Sequence, residues 1–391
     1  MRKIIFLLFL TGCASTMQSH LNDVQKNFAR GNFETTTNES ATEQNNLDLL
    51  INGTALFHDN KFEQSDSLFE EFNKRKLSET SSSVSRETTE LLLGGGISPY
   101  KPYMMDSLFV SYYQIWDLLA LQDWKNARVV INQSYDHQKN MSIEYKKLIE
   151  ENKNKISQNS QYQEILDKNR EDWLAFSDIM NPALMYLSGI YFLNDGDFDN
   201  AITYLKRANG MMPENTFIKT DLEYAQQRIK PTNTTWQFIE TGFAPRLKEK
   251  RSGIFLPNIG MIYFVIATPY FDDDTIQPND SQMLANVDAM FITEYQEYET
   301  NEILRSIASA AAKAALQSSA YNSHNNSASI LGILSSVYTF ASSNADVRTW
   351  ATLPKYIYVT RNKELNNKKN NLIYTRIITG KITDNKTIEL K

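Results

Sequence analysis

The side chains that could carry catalysis or bind a metal ion are widely spaced along the sequence. No two of the four histidines have the helical spacing of a zinc site, and we expect all of them at the surface: His20, His58, His137 and His324. The run Gly94–Gly96 lacks the following Gly-Lys-Ser or Gly-Lys-Thr of a phosphate-binding loop, and no Gly-x-Ser-x-Gly motif is present. A carboxylate pair on separate loops, as glycosidases use, stays open. We predict no metal, no cofactor and no enzymatic activity.

The single cysteine, Cys13, is the residue whose surroundings predict a specific chemistry. Arg2 and Lys3 precede an apolar run from Ile4 to Leu10, which is too short to span a bilayer. The sequence Leu10-Thr11-Gly12-Cys13 resembles a bacterial lipobox. That resemblance implies removal of residues 1–12 as a signal peptide and attachment of lipid to the Cys13 sulfur. An ordinary secretory signal that happens to contain a cysteine is the alternative.

The lipobox resemblance also implies a location. Ala14 stands where an aspartate would indicate retention in the inner membrane, so the chain is expected on the outer membrane, on its periplasmic side. Exposure on the cell surface is left open. Several acyl chains on Cys13 would anchor the protein stably, and no thiol would remain for a disulfide. The formal net charge of -6 argues against a nucleic-acid partner.

The length of the mature chain favours two domains behind a tether. Residues 13–46 are polar and rich in Thr, Asn and Glu from Gln18 onward, and they are predicted to form a flexible tether. Residues 47–230 have helical periodicity. Residues 231–391 have strand-like segments as well as helical ones and predict a mixed α+β domain.

A helix–turn–helix pattern recurs between residues 47 and 230. Its best copy runs from Pro182 to Pro213, with small residues where two helices would cross and apolar residues between them: Gly189, Ala201, Phe192, Phe198 and Leu205. This copy resembles a tetratricopeptide repeat, and weaker copies surround Gly53 and Trp124. The resemblance implies an α-helical solenoid. A plain helical bundle is the alternative.

A tetratricopeptide solenoid implies a concave face formed by the first helix of each repeat, where such folds bind a protein or peptide. We predict that this groove is lined by residues flanking the packing positions of the first helices: Asn52, His58, Tyr113, Asp117, Tyr186 and Tyr191.

The C-terminal part is predicted to contain strands at 235–239, 254–257, 261–268 and 355–360. A β-hairpin between residues 372 and 390 is predicted to turn about Asp384-Asn385. Residues 303–320 form a predicted alanine-rich helix. The uncharged segment 327–343 is predicted to be a core helix, with membrane contact as the alternative.

Three short motifs, Ala345 to Pro354, Gly242 to Pro245 and Leu256-Pro257, resemble an uncharacterised family of bacterial tetratricopeptide-containing outer-membrane lipoproteins. The resemblance implies no activity and favours a scaffold that binds an envelope protein or peptide during assembly, secretion or cell-wall synthesis. One alternative is a glycan-binding or hydrolytic C-terminal domain, in which Trp236, Trp350 and Tyr356 stack on sugars. Another is a component of an outer-membrane pore complex, acting through residues 327–343.

Overall fold

The computed structural model of the chain describes residues 13–34, 40, 42–79, 99–157, 180–256, 260–273, 276–300, 303, 345–363 and 369–390. The predicted signal peptide, the uncharged segment 327–343 and all but the first residue of the alanine-rich helix lie outside these ranges. Among the described helices, none is both long enough and apolar enough to cross a membrane.

The N-terminal part of the described chain is helical. Its helices are α1 (Cys13–Ala29), α2 (Asn46–His58), α3 (Phe62–Glu79), α4 (Met104–Ala120), α5 (Trp124–Ser157), α6 (Pro182–Asp195), α7 (Phe198–Met211) and α8 (Thr216–Gln226). Helices α2–α3, α4–α5 and α6–α7 form three helical hairpins joined by short turns.

The three helical hairpins share one turn geometry. Each turn contains a residue in the left-handed backbone region: Asn60 (φ 61°), Gln122 (φ 60°) and Gly196 (φ 79°). The amide of the residue after it donates to a carbonyl five positions earlier: Lys61 to Leu56 (2.9 Å), Asp123 to Leu118 (2.8 Å) and Asp197 to Phe192 (3.0 Å). This bond satisfies a carbonyl at the end of the first helix and reverses the chain. An aromatic residue then begins each second helix: Phe62, Trp124 and Phe198.

Two of the hairpins also have the same close helix crossing. A Cβ added at Gly53 would lie 2.6 Å from the Phe69 ring, and one added at Gly189 would lie 2.6 Å from the Leu205 side chain. Since real Cβ atoms essentially never approach other atoms this closely, an alanine at either position would force the Phe69 or Leu205 side chain, or the helix itself, to shift. The predicted packing role of Gly189 against Leu205 agrees with this contact.

We expect Gly189→Ala to lower the free energy of unfolding by about 1–2 kcal/mol. Overpacking against Leu205 costs roughly 1–3 kcal/mol, and alanine returns up to about 1 kcal/mol through its better helix propensity. The matched control is Gly210→Ala on α7, where the added Cβ meets nothing within 4 Å and stability should stay equal or rise. Chemical denaturation of both variants measures the difference, and equal stabilities would contradict the close crossing.

Helix α1 differs from the flexible tether predicted for residues 13–46. Leu21, Val24 and Phe28 repeat at helical spacing and are buried, and the Gln25 side chain donates to the Ala351 carbonyl at 2.8 Å. The polar composition of this segment concealed a narrow apolar stripe, which is enough to fix one side of a helix on the body.

The C-terminal part adds a five-stranded mixed sheet and a separate two-stranded one. The strands are β1 (Thr234–Thr241), β2 (Arg246–Leu256), β3 (Gly260–Tyr270), β4 (Gln282–Asn286), β5 (Tyr356–Lys363), β6 (Asn371–Ile378) and β7 (Lys381–Glu389). The large sheet has the order β4-β5-β1-β6-β7, whereas β2 and β3 pair with each other. Strands β1 and β6 are parallel, and the other pairs are antiparallel. Residues 287–300 form helix α9.

The turn between β6 and β7 corrects one prediction. It lies at Thr379-Gly380, where both residues have positive φ (49° and 76°), as a two-residue hairpin turn of the primed type requires. Asp384 and Asn385, predicted to form the turn, instead lie inside β7.

The large sheet packs against the first helices of the three hairpins. The Trp116 ring on α4 lies 5.4 Å from Phe238 on β1 and 5.5 Å from Tyr374 on β6, and Tyr186 on α6 lies 5.8 Å from Phe238. Buried residues of the helices and of the sheet belong to one continuous hydrophobic core. We call the sides of α2, α4 and α6 that meet this sheet the inner face of the hairpins.

Candidate functional site: the inner face of the helical hairpins

The first helices are covered on all sides, unlike helices at a protein surface. Every residue from Met105 to Leu119 on α4 and from Pro182 to Asn194 on α6 is buried. Their second helices cover one side and the sheet covers the inner face. Three groups of buried polar side chains lie on the inner face, between the first helices and the sheet. We name them the Glu240, Asp221 and His58 clusters.

The Glu240 cluster joins α4 to strands β1 and β6. The strand register places Glu240 directly beside Arg376, and both side chains are fully buried. Glu240 Oε2 accepts hydrogen bonds from Tyr113 Oη (3.1 Å), Tyr374 Oη (2.7 Å) and Arg376 Nη1 (2.8 Å). Arg376 Nη2 donates to the Gly242 carbonyl at 2.7 Å. Burial raises the pKa of Glu240, an effect that the charge of Arg376 partly offsets.

The Asp221 cluster joins helices α6 and α8 to strands β1 and β5. Asp221 Oδ2 accepts from Tyr186 Oη (2.6 Å) and Trp236 Nε1 (2.6 Å), and its Oδ1 accepts from Arg361 Nε (2.8 Å). Asp221 is fully buried, and burial raises its pKa against the opposing charge of Arg361. The Asp221 carboxylate thus accepts hydrogen bonds from one residue of α6 and from one residue each of the neighbouring strands β1 and β5.

The His58 cluster joins the end of α2 to the edge strand β7. His58 Nδ1 lies 2.9 Å from Asp384 Oδ2, and Lys386 Nζ donates to the same carboxylate. The imidazole stacks on Phe33 with ring centroids 4.9 Å apart. Burial alone would raise the pKa of Asp384, but the hydrogen bond from His58 and the charge and hydrogen bond of Lys386 together lower it.

Burial lowers the pKa of His58 from 6.5 to about 4, although Asp384 acts in the opposite direction. The charges of Arg376 and Lys386 lower it further. His58 Nε2 is buried and has no hydrogen-bond partner among the described residues, so a proton there would have no acceptor. The ring is therefore held neutral, with Nδ1–H donating to the carboxylate.

We expect His58 to make the protein less stable in acid. The folded pKa lies below the unfolded one, so the unfolded chain binds the proton first as the pH falls, and stability is lost between about pH 6.5 and pH 4. Between pH 7 and pH 4.5 the loss should be about 2.4 kcal/mol relative to His58→Gln, which does not titrate. Urea denaturation of both proteins at pH 7 and pH 4.5 measures it. An equal change in the free energy of unfolding of the two proteins between pH 7 and pH 4.5 would contradict a neutral buried imidazole.

The wild type must be compared with His58→Gln because two buried carboxyl groups have the opposite effect: their raised pKa values increase the stability of the folded protein as the pH falls. Burial raises the pKa of Glu294 to about 8 and that of Asp106 to about 7. The Glu294 carboxylate accepts from the backbone amides of Met104 and, at 2.9 Å, Met105 at the start of α4. These carboxyls cap a helix, which is a structural use of their oxygens. Within the described residues, no three His, Cys, Asp or Glu side chains gather closely enough to hold a metal ion.

No family model, no curated protein and no solved structure matches this chain.

All six residues predicted to line a partner groove are buried, with exposed fractions between 0% and 5%: Asn52, His58, Tyr113, Asp117, Tyr186 and Tyr191. Tyr113, Tyr186 and His58 belong to the three clusters. The remaining three form hydrogen bonds within the helical region: Asn52 to Gln44 just before α2, Asp117 to Ser65 on α3 and Tyr191 to the Trp124 carbonyl. In this structure all six are therefore core residues: the sheet covers Tyr113, Tyr186 and His58, and other parts of the helical region contact Asn52, Asp117 and Tyr191.

Two further expectations about individual residues change in the same way. His58, expected at the surface, is buried, and His324 lies outside the described residues. Trp236 and Trp350, considered for sugar stacking, are buried with their ring nitrogens donating to Asp221 and to Thr54 Oγ1 (2.9 Å). Tyr356 keeps partial exposure.

The charged residues of the clusters were missed from the sequence. A signal was present, because Glu240 shares a strand face with Trp236 and Phe238, and Arg376 shares one with Leu372 and Tyr374. A charge at the third position of an apolar strand face, matched by the opposite charge in another strand, indicates a buried ion pair. The sequence contains no indication, however, that β1 pairs with β6, which lies more than a hundred residues later in the chain.

Proposed function

We propose that this chain is a lipid-anchored, non-catalytic binding protein of a bacterial envelope, built on tetratricopeptide-like helical hairpins. The observation that carries the proposal is the position of Cys13. It ends a lipobox-like sequence, and helix α1 (Cys13–Ala29) connects it to the body, on which the helix packs through Leu21, Val24 and Phe28. Lipid on Cys13 would thus be joined to the body through a short helix.

The repeated hairpin geometry supports the tetratricopeptide-like part of the proposal. The same turn geometry occurs in all three hairpins, and the close helix crossing at a glycine occurs in two of them. Stacked repeats would place these features in this order along the chain. The chain's own sheet fills the inner face, so a partner would meet the outward sides of the hairpins. Helix α5 offers such a side, where Val129 is 45% and Ile143 is 59% exposed.

The anchor is tested by expressing the full chain with Cys13→Ser in a bacterium with two membranes. We expect the wild-type protein to fractionate with the outer membrane and to show acyl mass on its N-terminal peptide by mass spectrometry. The Cys13→Ser protein should lack the acyl mass and should be released from the membrane by a high-salt wash, whereas the control Ser15→Ala should keep the acyl mass and stay bound. An unmodified Cys13 in a membrane-bound protein would sink the lipoprotein assignment.

The binding role is tested by photo-crosslinking in intact envelopes. A photoreactive residue at Val129 or Ile143 should yield a discrete adduct with an envelope protein, whereas one at the buried Ile131 on the same helix should yield none. Two results would argue against a scaffold that uses these helices. One is an adduct from Ile131 alone, and the other is the absence of any adduct when the photoreactive residue is placed in turn at the exposed positions of α3, α5 and α7.

A further inference from the structure

The start of strand β2 carries a concentration of positive charge. Residues 246–251 read Arg-Leu-Lys-Glu-Lys-Arg, which is four cations against one anion, or +3, in a chain whose formal net charge is -6. Lys248 and Arg251 are exposed, and Arg246 and Lys250 are partly exposed. Leu247 points inward and is only 2% exposed. The strand thus buries its apolar residue and presents its cations.

This basic strand is fixed to the helix that begins at Cys13. The Arg246 guanidinium donates to Asn22 Oδ1 on α1 and lies 4.6 Å from the centre of the Tyr270 ring. Tyr270 Oη lies 3.5 Å from the same Asn22 oxygen. Asn22 follows Cys13 by nine residues, which is about 14 Å along a helix. Lys250 follows Arg246 by four residues, which is about 13 Å along a strand.

Two acidic side chains near the basic strand have partners away from it. Glu249 Oε1 accepts from the Ala345 amide at 3.0 Å. Asp23 on α1 pairs with Lys26 at 3.2 Å. Beyond Arg251 the sequence has no charged residue until Asp272. Clusters of Lys and Arg are attracted to an anionic lipid surface by about 1 kcal/mol for each cation close to it.

We propose that the basic residues at the start of β2 bind anionic phospholipid headgroups of the membrane that holds the lipid on Cys13. This second contact would fix the orientation of the body, because an acyl anchor alone leaves rotation free. The inference deepens the proposed function and rests on it for its setting. Each cation near such a surface strengthens partition about fivefold, so the effect of reversing two charges is large.

The proposal is tested on the full chain with Cys13→Ser, so that surface binding is measured without acyl chains. We expect it to co-sediment with vesicles of phosphatidylglycerol and phosphatidylcholine, and at least tenfold less with vesicles of phosphatidylcholine alone. Lys248→Glu with Lys250→Glu should weaken binding to the anionic vesicles more than tenfold. The matched control, Lys125→Glu with Lys139→Glu on exposed positions of α5, makes the same charge change and should cost less than threefold.

Three results would overturn the proposal: no preference for anionic vesicles, an equal loss in the α5 control, or saturable binding of inorganic phosphate that explains the preference. Circular dichroism of each variant must match the parent, which we expect because the exchanged side chains are not buried. Lipidation of Cys13 is measured separately, by mass spectrometry of the wild-type chain. A failure of vesicle binding is therefore distinguishable from a failure of the lipoprotein assignment.

Discussion

Arg376→Ala should lower the free energy of unfolding by about 3–5 kcal/mol, as measured by chemical denaturation. The substitution leaves the fully buried Glu240 carboxylate without its cation, and removing one member of a buried ion pair typically costs that much. It also removes the donor to the Gly242 carbonyl. The two tyrosine hydroxyls that donate to Glu240 would remain but cannot neutralise its charge.

A second variant separates the charge from the packing. Arg376→Met combined with Glu240→Gln removes both charges and keeps most of the volume, so it should recover a large part of the loss. The surface comparison is Lys369→Ala, which breaks an exposed pair with Glu389 and should cost no more than about 1 kcal/mol. An Arg376→Ala protein as stable as the Lys369→Ala protein would show that the Glu240 cluster does not hold the sheet on α4.

Asp221→Ala should have a comparable effect where α6 and α8 meet the sheet, again about 3–5 kcal/mol. Three donors lose their acceptor at once: Tyr186, Trp236 and Arg361. Arg361 becomes a mostly buried cation without its carboxylate, its side chain being only 9% exposed. The fluorescence of Trp236 should change as well, since its ring nitrogen loses a charged acceptor.

Asp221→Asn is the matched variant, since its amide oxygen can still accept hydrogen bonds but carries no charge. We expect it to fall between the wild type and Asp221→Ala. Asp199→Ala provides an exposed control, because Asp199 pairs with Arg228 at the surface and should contribute little. Equal stabilities of Asp221→Ala and Asp199→Ala would contradict the role of this cluster in docking α8 and the strands.

Local sequence signals were sufficient for the coarse fold. Apolar spacing at Gly189, Phe192 and Leu205 identified a hairpin because all its packing partners lie within one short stretch. The change from helical period to strand alternation after Pro231 likewise needed only neighbouring residues, and β1 begins at Thr234. The Thr379-Gly380 turn could have been found in the same way, but the polar run around Asp384 gave a competing turn signal.

The inner face could not be predicted because its contacts join distant parts of the chain. His58 forms a hydrogen bond with Asp384, and Tyr113 forms one with Glu240. The sequence around these residues does not indicate which residue each of them contacts. The same polar side chains on first helices fit an open groove equally well when the helices are considered alone. Only the position of the sheet decides between a surface groove and a core.

Hydrogen–deuterium exchange of the intact chain in low concentrations of guanidinium chloride is the most direct test of whether the sheet permanently fills the inner face. We predict that amides in the middle of α4 and α6 and those in β1 and β6 open with one common free energy, and that Arg376→Ala lowers it equally in all four elements. If the strands exchanged at a clearly lower free energy while α4 and α6 stayed protected, the sheet would be a detachable cover. Tyr113, Tyr186 and His58, which the sheet covers, would then line a groove.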